Sequence, residues 1–196
     1  MRFHTVGLSL VLFLSYSATV LADEEMLPED YTKATESKEY IFVMLPTKKG
    51  WFDFVEKNKA IRDKYPQSGL YRNDESRTPL WTVDWYSHKH EVYLSTDGRY
   101  VVRMGPWPRL WADKDLENGG PALKQPAVAF YKEGKLLKGY TIGQLVKDAK
   151  KLSRSVSHFR WEDKVAFDDA TGRFTVSTLE GNKYVFDIHS GKIVST

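Results

Sequence analysis

Residues 79–104 read PLWTVDWYSHKHEVYLSTDGRYVVRM, and a looser copy follows at residues 155–179, SVSHFRWEDKVAFDDATGRFTVSTL. Trp85 aligns with Trp161, Gly98-Arg99-Tyr100 with Gly172-Arg173-Phe174, and Val102 with Val176. Self-similarity of this kind governs the fold, because each copy must be one supersecondary unit. In 80–86, Trp81, Val83 and Trp85 alternate with Thr82, Asp84 and Tyr86, a period of two that predicts a half-buried strand. Ser87–His90 reads as a polar turn and Glu91–Ser95 as the next strand. Thr96-Asp97-Gly98 is then a hairpin turn, its glycine supplying positive φ, and Arg99–Met104 is a third strand.

The second copy makes the same choices. Ser157, Phe159 and Trp161 stand for Trp81, Val83 and Trp85, Val165–Asp168 is its second strand, and Phe174, Val176 and Thr178 match Tyr100, Val102 and Met104. Two further strands recur, since Ala127–Tyr131 and Lys135–Leu137 across Lys132-Glu133-Gly134 match Tyr184–Ile188 and Lys192–Val194 across His189-Ser190-Gly191. The expected fold is mainly β: two antiparallel meanders forming a twisted sandwich or open barrel, with one or two peripheral helices. Residues 39–196 form one β-rich domain with internal repeats at about 79–140 and 155–196. Because side chains change face at every residue of a strand, Trp81, Val83, Trp85, Tyr100, Val102, Phe159, Trp161, Phe174, Val176, Tyr184 and Phe186 should be buried. Asp84, Arg99, Arg103, Arg160, Arg173 and Asp187 should point the other way.

The segments VYLSTDGRYVV and YVFDIHSGKIVS resemble strand–turn–strand units of β-propeller repeats, of the pyrroloquinoline-quinone and WD40-like types. The resemblance implies meandering blades and covers about half of the mature chain. A closed propeller takes about four to eight blades, against two copies here. The quinone-binding residues of those enzymes have no counterparts, so the resemblance implies no cofactor.

The first 22 residues combine Arg2 and His4 with an apolar run, Gly7–Leu21, and end Val20-Leu21-Ala22 before Asp23-Glu24-Glu25. These are the marks of a secretory signal cleaved after Ala22; the alternative is an uncleaved anchor, for which the run is short of the ~20 residues a bilayer needs. A secreted or periplasmic location is expected, without stable membrane insertion after cleavage. Residues 23–38 are acidic and polar and read as a flexible leader. A formal net charge of +3 is too balanced to imply nucleic acid. The chain has no cysteine, so neither disulfides nor a cysteine-linked lipid anchor is available, and stability must come from an apolar core.

Elsewhere, Glu39–Leu45 reads as a buried strand stopped by Pro46, and Trp51, Phe54, Val55, Ile61 and Tyr65 recur at helical spacing. Residues 65–79 read as a long surface connection. Thr141-Ile142-Gly143-Gln144 is a capping-box signature for a short helix whose apolar face carries Leu145, Val146, Ala149 and Leu152.

The copies differ by one large insertion. Copy two joins its third and fourth strands through Glu180–Lys183, whereas copy one uses residues 105–126, GPWPRLWADKDLENGGPALKQP. Loops of this length inside a compact domain are functional or disordered, and the tryptophans and prolines argue against a polar spacer. Trp107, Arg109 and Trp111 are therefore the candidate ligand-binding residues, suited to sugar rings or extended peptides. The bland alternative is that both tryptophans merely pin the loop.

Asp84, His88 and His90 are close enough in sequence to serve as metal ligands, but a predicted turn without a third ligand reads first as solvated. His158 with Asp84 is the alternative catalytic pair, His158 as general base. No nucleophile elbow, phosphate loop or dinucleotide fingerprint is present. The expected function is a secreted or periplasmic domain binding a glycan, peptide or protein partner; the alternative is an extracytoplasmic hydrolase using Asp84 and His158.

Overall fold

The computed structural model describes residues 26–47, 57–117 and 119–196. The signal stretch, the first residues of the leader, the Lys48-Lys49-Gly50 turn and the Trp51–Glu56 part of the expected helix lie outside the described residues. The fold is mainly β, all its sheets are antiparallel, and they close no barrel.

Three four-stranded meanders follow one another, each with its strands in chain order. Sheet I holds β1 (Tyr31–Ala34), β2 (Tyr40–Met44), β3 (Gly69–Arg72) and β4 (Trp81–Thr82). Sheet II holds β5 (Val92–Leu94), β6 (Tyr100–Met104), β7 (Pro126–Lys132) and β8 (Lys135–Thr141). A two-stranded ribbon, β9 (Ser153–Arg154) with β10 (Phe159–Arg160), precedes sheet III: β11 (Glu162–Asp168), β12 (Arg173–Thr178), β13 (Lys183–Asp187) and β14 (Ile193–Ser195).

Sheet II lies in the middle, and its sequence shows why. The runs Tyr100–Val102 and Ala127–Tyr131 are apolar at successive positions, as strands covered on both faces must be. Val101, Ala129 and Tyr131 pack with Tyr31, Phe42 and Leu70 of sheet I. Val102, Met104, Val128 and Phe130 pack with Phe174, Val176, Phe186 and Ile188 on the sheet III side. Full burial of each such side chain stabilises the fold by roughly 1.5–3 kcal/mol.

Both ends of the stack are finished. On β12, buried Phe174, Val176 and Thr178 alternate with partly exposed Arg173, Thr175 and Ser177, the pattern of a sheet with one wet face. The outer side of sheet I carries Val43, Leu45 and Tyr71, packed with Ile61 of helix α1 (Lys59–Lys64) and with Tyr65.

The two expected meanders are thus joined by a third, built from residues assigned to less ordered segments. Residues 31–34, expected in the flexible leader, form β1, paired from Tyr31↔Met44 to Ala34↔Ile41. The segment lacks an apolar pattern because its backbone ladder, one buried tyrosine and the Asp30–Arg62 ion pair hold it. β3 lies within the expected surface connection, pairing on both edges with β2 and β4. In 80–86 only Trp81–Thr82 is strand, and it belongs to sheet I, so the alternation read there is not that of one long strand. Trp81, Val83, Trp85 and Tyr100 are accordingly half-buried, whereas Val102, Phe159, Trp161, Phe174, Val176, Tyr184 and Phe186 are buried as expected.

The expected helices are shorter. The Gln144 carboxamide accepts from the Thr141 amide at 2.8 Å, as the capping box predicts, yet α2 spans only Ile142–Leu145 before a separate 3₁₀ turn at Ala149–Lys151. Among the described residues no helix is long and apolar enough to cross a membrane.

The hairpins of the three sheets gather at one end. The Ser37 hydroxyl donates to the Thr96 carbonyl at 3.0 Å, and the Thr96 amide donates to Asp169 at 2.6 Å. Gly98 and Gly172 sit at corresponding places in their turns with φ of +71° and +65°, where a side chain would be strained. The connections at the opposite end enclose a groove.

Candidate functional site

The groove has a volume of about 1310 Å³ and is bordered by residues 83–91 between β4 and β5, residues 104–109 after β6, and the start of β11. Residues 26–28, 45–47 and 66–68, which flank the strands of sheet I, also border it.

The 83–91 connection is a folded ledge. Trp85 anchors it, its indole 6.0 Å from the Phe42 ring and 5.1 Å from Tyr131, with the Arg103 guanidinium 4.9 Å over its face. The Trp85 Nε1 atom is buried and has no hydrogen-bond partner among the described residues. The Tyr86 hydroxyl accepts from the Glu29 amide at 3.1 Å and bonds His88 Nδ1 at 3.0 Å. The His88 and His90 rings stack 5.8 Å apart. Glu91 ties the ledge back on itself, accepting from the Ser87 hydroxyl at 2.8 Å and the His88 amide at 2.9 Å. His88 is therefore half-buried rather than in an open solvated turn; His90 is exposed. Among the described residues no group of three His, Cys, Asp or Glu is gathered for a metal ion.

Electrostatics concentrate where β5 meets β11. Burial pushes the Glu162 carboxyl above the usual range, opposed by the Trp161 and Glu162 amides and by Arg160, and assisted by the charge of Glu91. Burial, then Glu162 and Glu91, raises the Tyr93 phenol. Lys33 on β1 donates to the carbonyls of Lys89 and Val92, and burial followed by repulsion from Lys89 lowers its pKa. Neither Glu91 nor Glu162 has an ion-pair partner among the described residues.

The inserted loop is rigidly held. The Leu110 amide donates to the Ser157 carbonyl at 2.7 Å and the Phe159 amide to the Pro108 carbonyl at 3.1 Å, so the loop lies alongside the 157–159 backbone. The Gln125 side chain clamps Arg109, accepting from its amide at 2.9 Å and donating to its carbonyl at 2.7 Å. The buried carboxylate of Asp115 accepts from the Trp111 and Ala112 amides at 3.3 and 2.8 Å.

The three residues singled out on this loop separate. Trp107 and Arg109 border the groove; Trp111 does not, and is 67% exposed. The apolar pin of the loop is Leu110, buried beside Leu116, and the indole that packs down is Trp107, stacked on His158.

Asp84 and His158 are not brought into a catalytic pair. Asp84 is exposed at the groove edge, whereas His158 is buried with Nδ1 bonded to the Ser157 hydroxyl at 2.9 Å. Among the described residues no hydrogen bond or ion pair joins them. His158 and Phe159 are both buried although adjacent in sequence, because the inserted loop lies alongside the 157–159 backbone.

Tyr86, Glu91, Tyr93 and Glu162 escaped the sequence reading. Each looks like an ordinary polar or edge-strand residue locally, and only the stacking of sheets II and III brings them to one place. Comparison with family models, curated proteins and solved structures finds no match to this chain.

Proposed function

We propose that the chain is an exported, non-catalytic binding domain that takes an extended peptide or glycan along the groove, against Trp107 and Arg109. The observation that carries this reading is the groove itself. At about 1310 Å³ it exceeds the 300–1,000 Å³ typical of small-molecule pockets, and Trp85, Tyr86, Tyr93, Trp107 and Trp161 supply its aromatic walls. Flat rings on a rigid support suit sugar faces and peptide side chains, because little conformational entropy is lost on binding. Export rests on the features of Met1–Ala22. Trp111, exposed on the same loop, is an outlying contact outside the groove.

We also read sheets II and III as two copies of one propeller-like unit. Strand order is the same, and glycines of positive φ recur in the first hairpin (Gly98, Gly172) and the third (Gly134, Gly191). No feature of the geometry favours the hydrolase alternative, since Asp84 and His158 do not meet.

Peptide and glycan arrays with the wild-type chain and with Trp107→Ala and Arg109→Ala test the site. The expected result is binding that at least one of the substitutions weakens about tenfold or more. Interactions that all persist unchanged in both variants would place the site elsewhere.

A further inference from the structure

Resting on the groove being the binding site, we infer that its ligand is a peptide that inserts a lysine or arginine side chain between the aromatic walls, toward Glu91 and Glu162.

The charges of the groove lean one way. Asp84, Glu91 and Glu162 border it and form no ion pair among the described residues. Of the arginines at its border, Arg62 is committed to Asp30 through two bonds of 2.6 and 2.7 Å and to the Pro46 carbonyl, and Arg109 is itself engaged. Lys33, the nearby lysine on β1, gives its ammonium to two carbonyls rather than to either glutamate. Arg160 acts on Glu162 only through space and gives its hydrogen bonds to the Glu162 and Asp163 carbonyls, so among the described residues the carboxylates border the groove without an ion-pair partner.

The surroundings of those acids select the form of the cation. Val83, Met104, Trp161 and Val165 border the same groove, and an alkyl stem gains by covering such surface while its charged tip reaches the acids. Tyr93 borders the groove with the Lys33 ammonium 5.6 Å from its ring centroid, so a cation at an aromatic face is already accommodated beside these acids. An amino sugar carries its ammonium directly on a hydroxylated ring and would set those hydroxyls against apolar walls, where unpaired polar groups are costly. Burial of Glu162 favours a cation further, because neutralising a desolvated carboxylate relieves its cost.

The test begins with an array of random heptapeptides probed with the full-length chain, beside glucosamine oligomers and their N-acetylated forms. Binders enriched in Lys or Arg are expected. In the best binder, replacing that residue by norleucine should weaken affinity about tenfold or more. Glu162→Gln should weaken the basic peptide similarly while leaving the norleucine peptide unchanged. With the wild-type chain, raising salt should weaken the basic peptide only, a readout that needs no variant. Peptide binders with no basic preference, or an unchanged affinity with norleucine, would overturn this inference and leave the groove reading standing. Binding of glucosamine oligomers alone would overturn the peptide assignment, and binding of none of these probes would overturn both.

Discussion

The Trp107 indole lies on the His158 imidazole, with ring centroids 4.2 Å apart and planes 20° from parallel. The histidine is 7% exposed; its Nδ1 is engaged by Ser157 while its Nε2 is buried without a partner among the described residues. A buried nitrogen without a partner costs stability, and the imidazole packs flat beneath the Trp107 indole. His158→Phe keeps the stack and removes the orphaned atom; it should leave stability within about 1 kcal/mol of wild type, or raise it, and retain ligand binding. His158→Ala should lose the ring pair, worth about 0.5–1.5 kcal/mol beyond area burial, along with the packing beneath the loop. Urea unfolding compares them, and a phenylalanine variant as damaged as the alanine one would show that the imidazole nitrogens matter.

Phe130, Phe174 and Phe186 form the seam between sheets II and III, their ring centroids 5.2 to 6.4 Å apart and their side chains fully buried. Truncating any one to alanine should cost about 3–5 kcal/mol. Thr175→Ala, on the outward face of β12, should change stability by about 0.5 kcal/mol or less. Similar midpoints for Phe174→Ala and Thr175→Ala would mean that sheet III does not bury the face assigned to it.

The contrast between sheets explains what the sequence could disclose. Sheet III was legible because β12 alternates strictly, and sheet II because its turns carry Asp97-Gly98 and Glu133-Gly134 between β-rich runs. Sheet I was mostly hidden. β1 contributes a single buried aromatic, Tyr31, and β4 is two residues long, so backbone pairing rather than side-chain pattern defines them. The site divides in the same way. Trp107 and Arg109 stood out through the length and composition of their loop, whereas Glu91 and Glu162 are 71 positions apart and meet only through sheet packing. Trp111 shared the local signal of Trp107, but the loop turns it outward.

Asp30 sits just ahead of β1 with a side chain 0% exposed, accepting from Arg62 through two bonds and from the Asn58 amide at 2.7 Å. Arg62→Met should therefore cost about 3–5 kcal/mol, because it leaves a buried carboxylate unpaired. Asp30→Leu combined with Arg62→Met should recover much of that loss, since the penalty belongs to the stranded charge. A double-mutant cycle by chemical denaturation measures the coupling. If Arg62→Met proves neutral, the segment before β1 is not tied to α1.

Gly98 closes the β5–β6 turn at φ +71°, and a Cβ there would lie 2.6 Å from Leu70 Cδ2 and 3.1 Å from Tyr40 Cγ. Strain and overlap act together, so Gly98→Ala should destabilise by roughly 1–3 kcal/mol. Gly181, with φ +95° but open space around it, should lose only the conformational part, about 1 kcal/mol. Equal losses at the two positions would show that sheet I does not press on the Gly98 turn.

Glu162 gives the fold an unusual pH dependence. Its carboxyl is raised first by burial and further by Glu91, so the folded chain holds that proton more tightly than the unfolded chain does. Between the unfolded pKa, about 4.3, and the raised folded value, the native state binds more protons and stability falls as pH rises. Asp187 acts in the opposite sense. The Ser190 hydroxyl and then the His189 amide depress its pKa, so its stabilisation is present above its unfolded pKa and is lost as pH falls through the folded one. The two slopes overlap in the wild-type curve, but subtracting it from that of Glu162→Gln cancels Asp187. The glutamine variant should be more stable than wild type at about pH 7, with the gap narrowing as pH falls and closing below about pH 4. Urea unfolding of both proteins across that range measures it. A glutamine variant less stable than wild type at neutral pH would mean that Glu162 is held by a favourable partner, and the demand for an external cation would disappear.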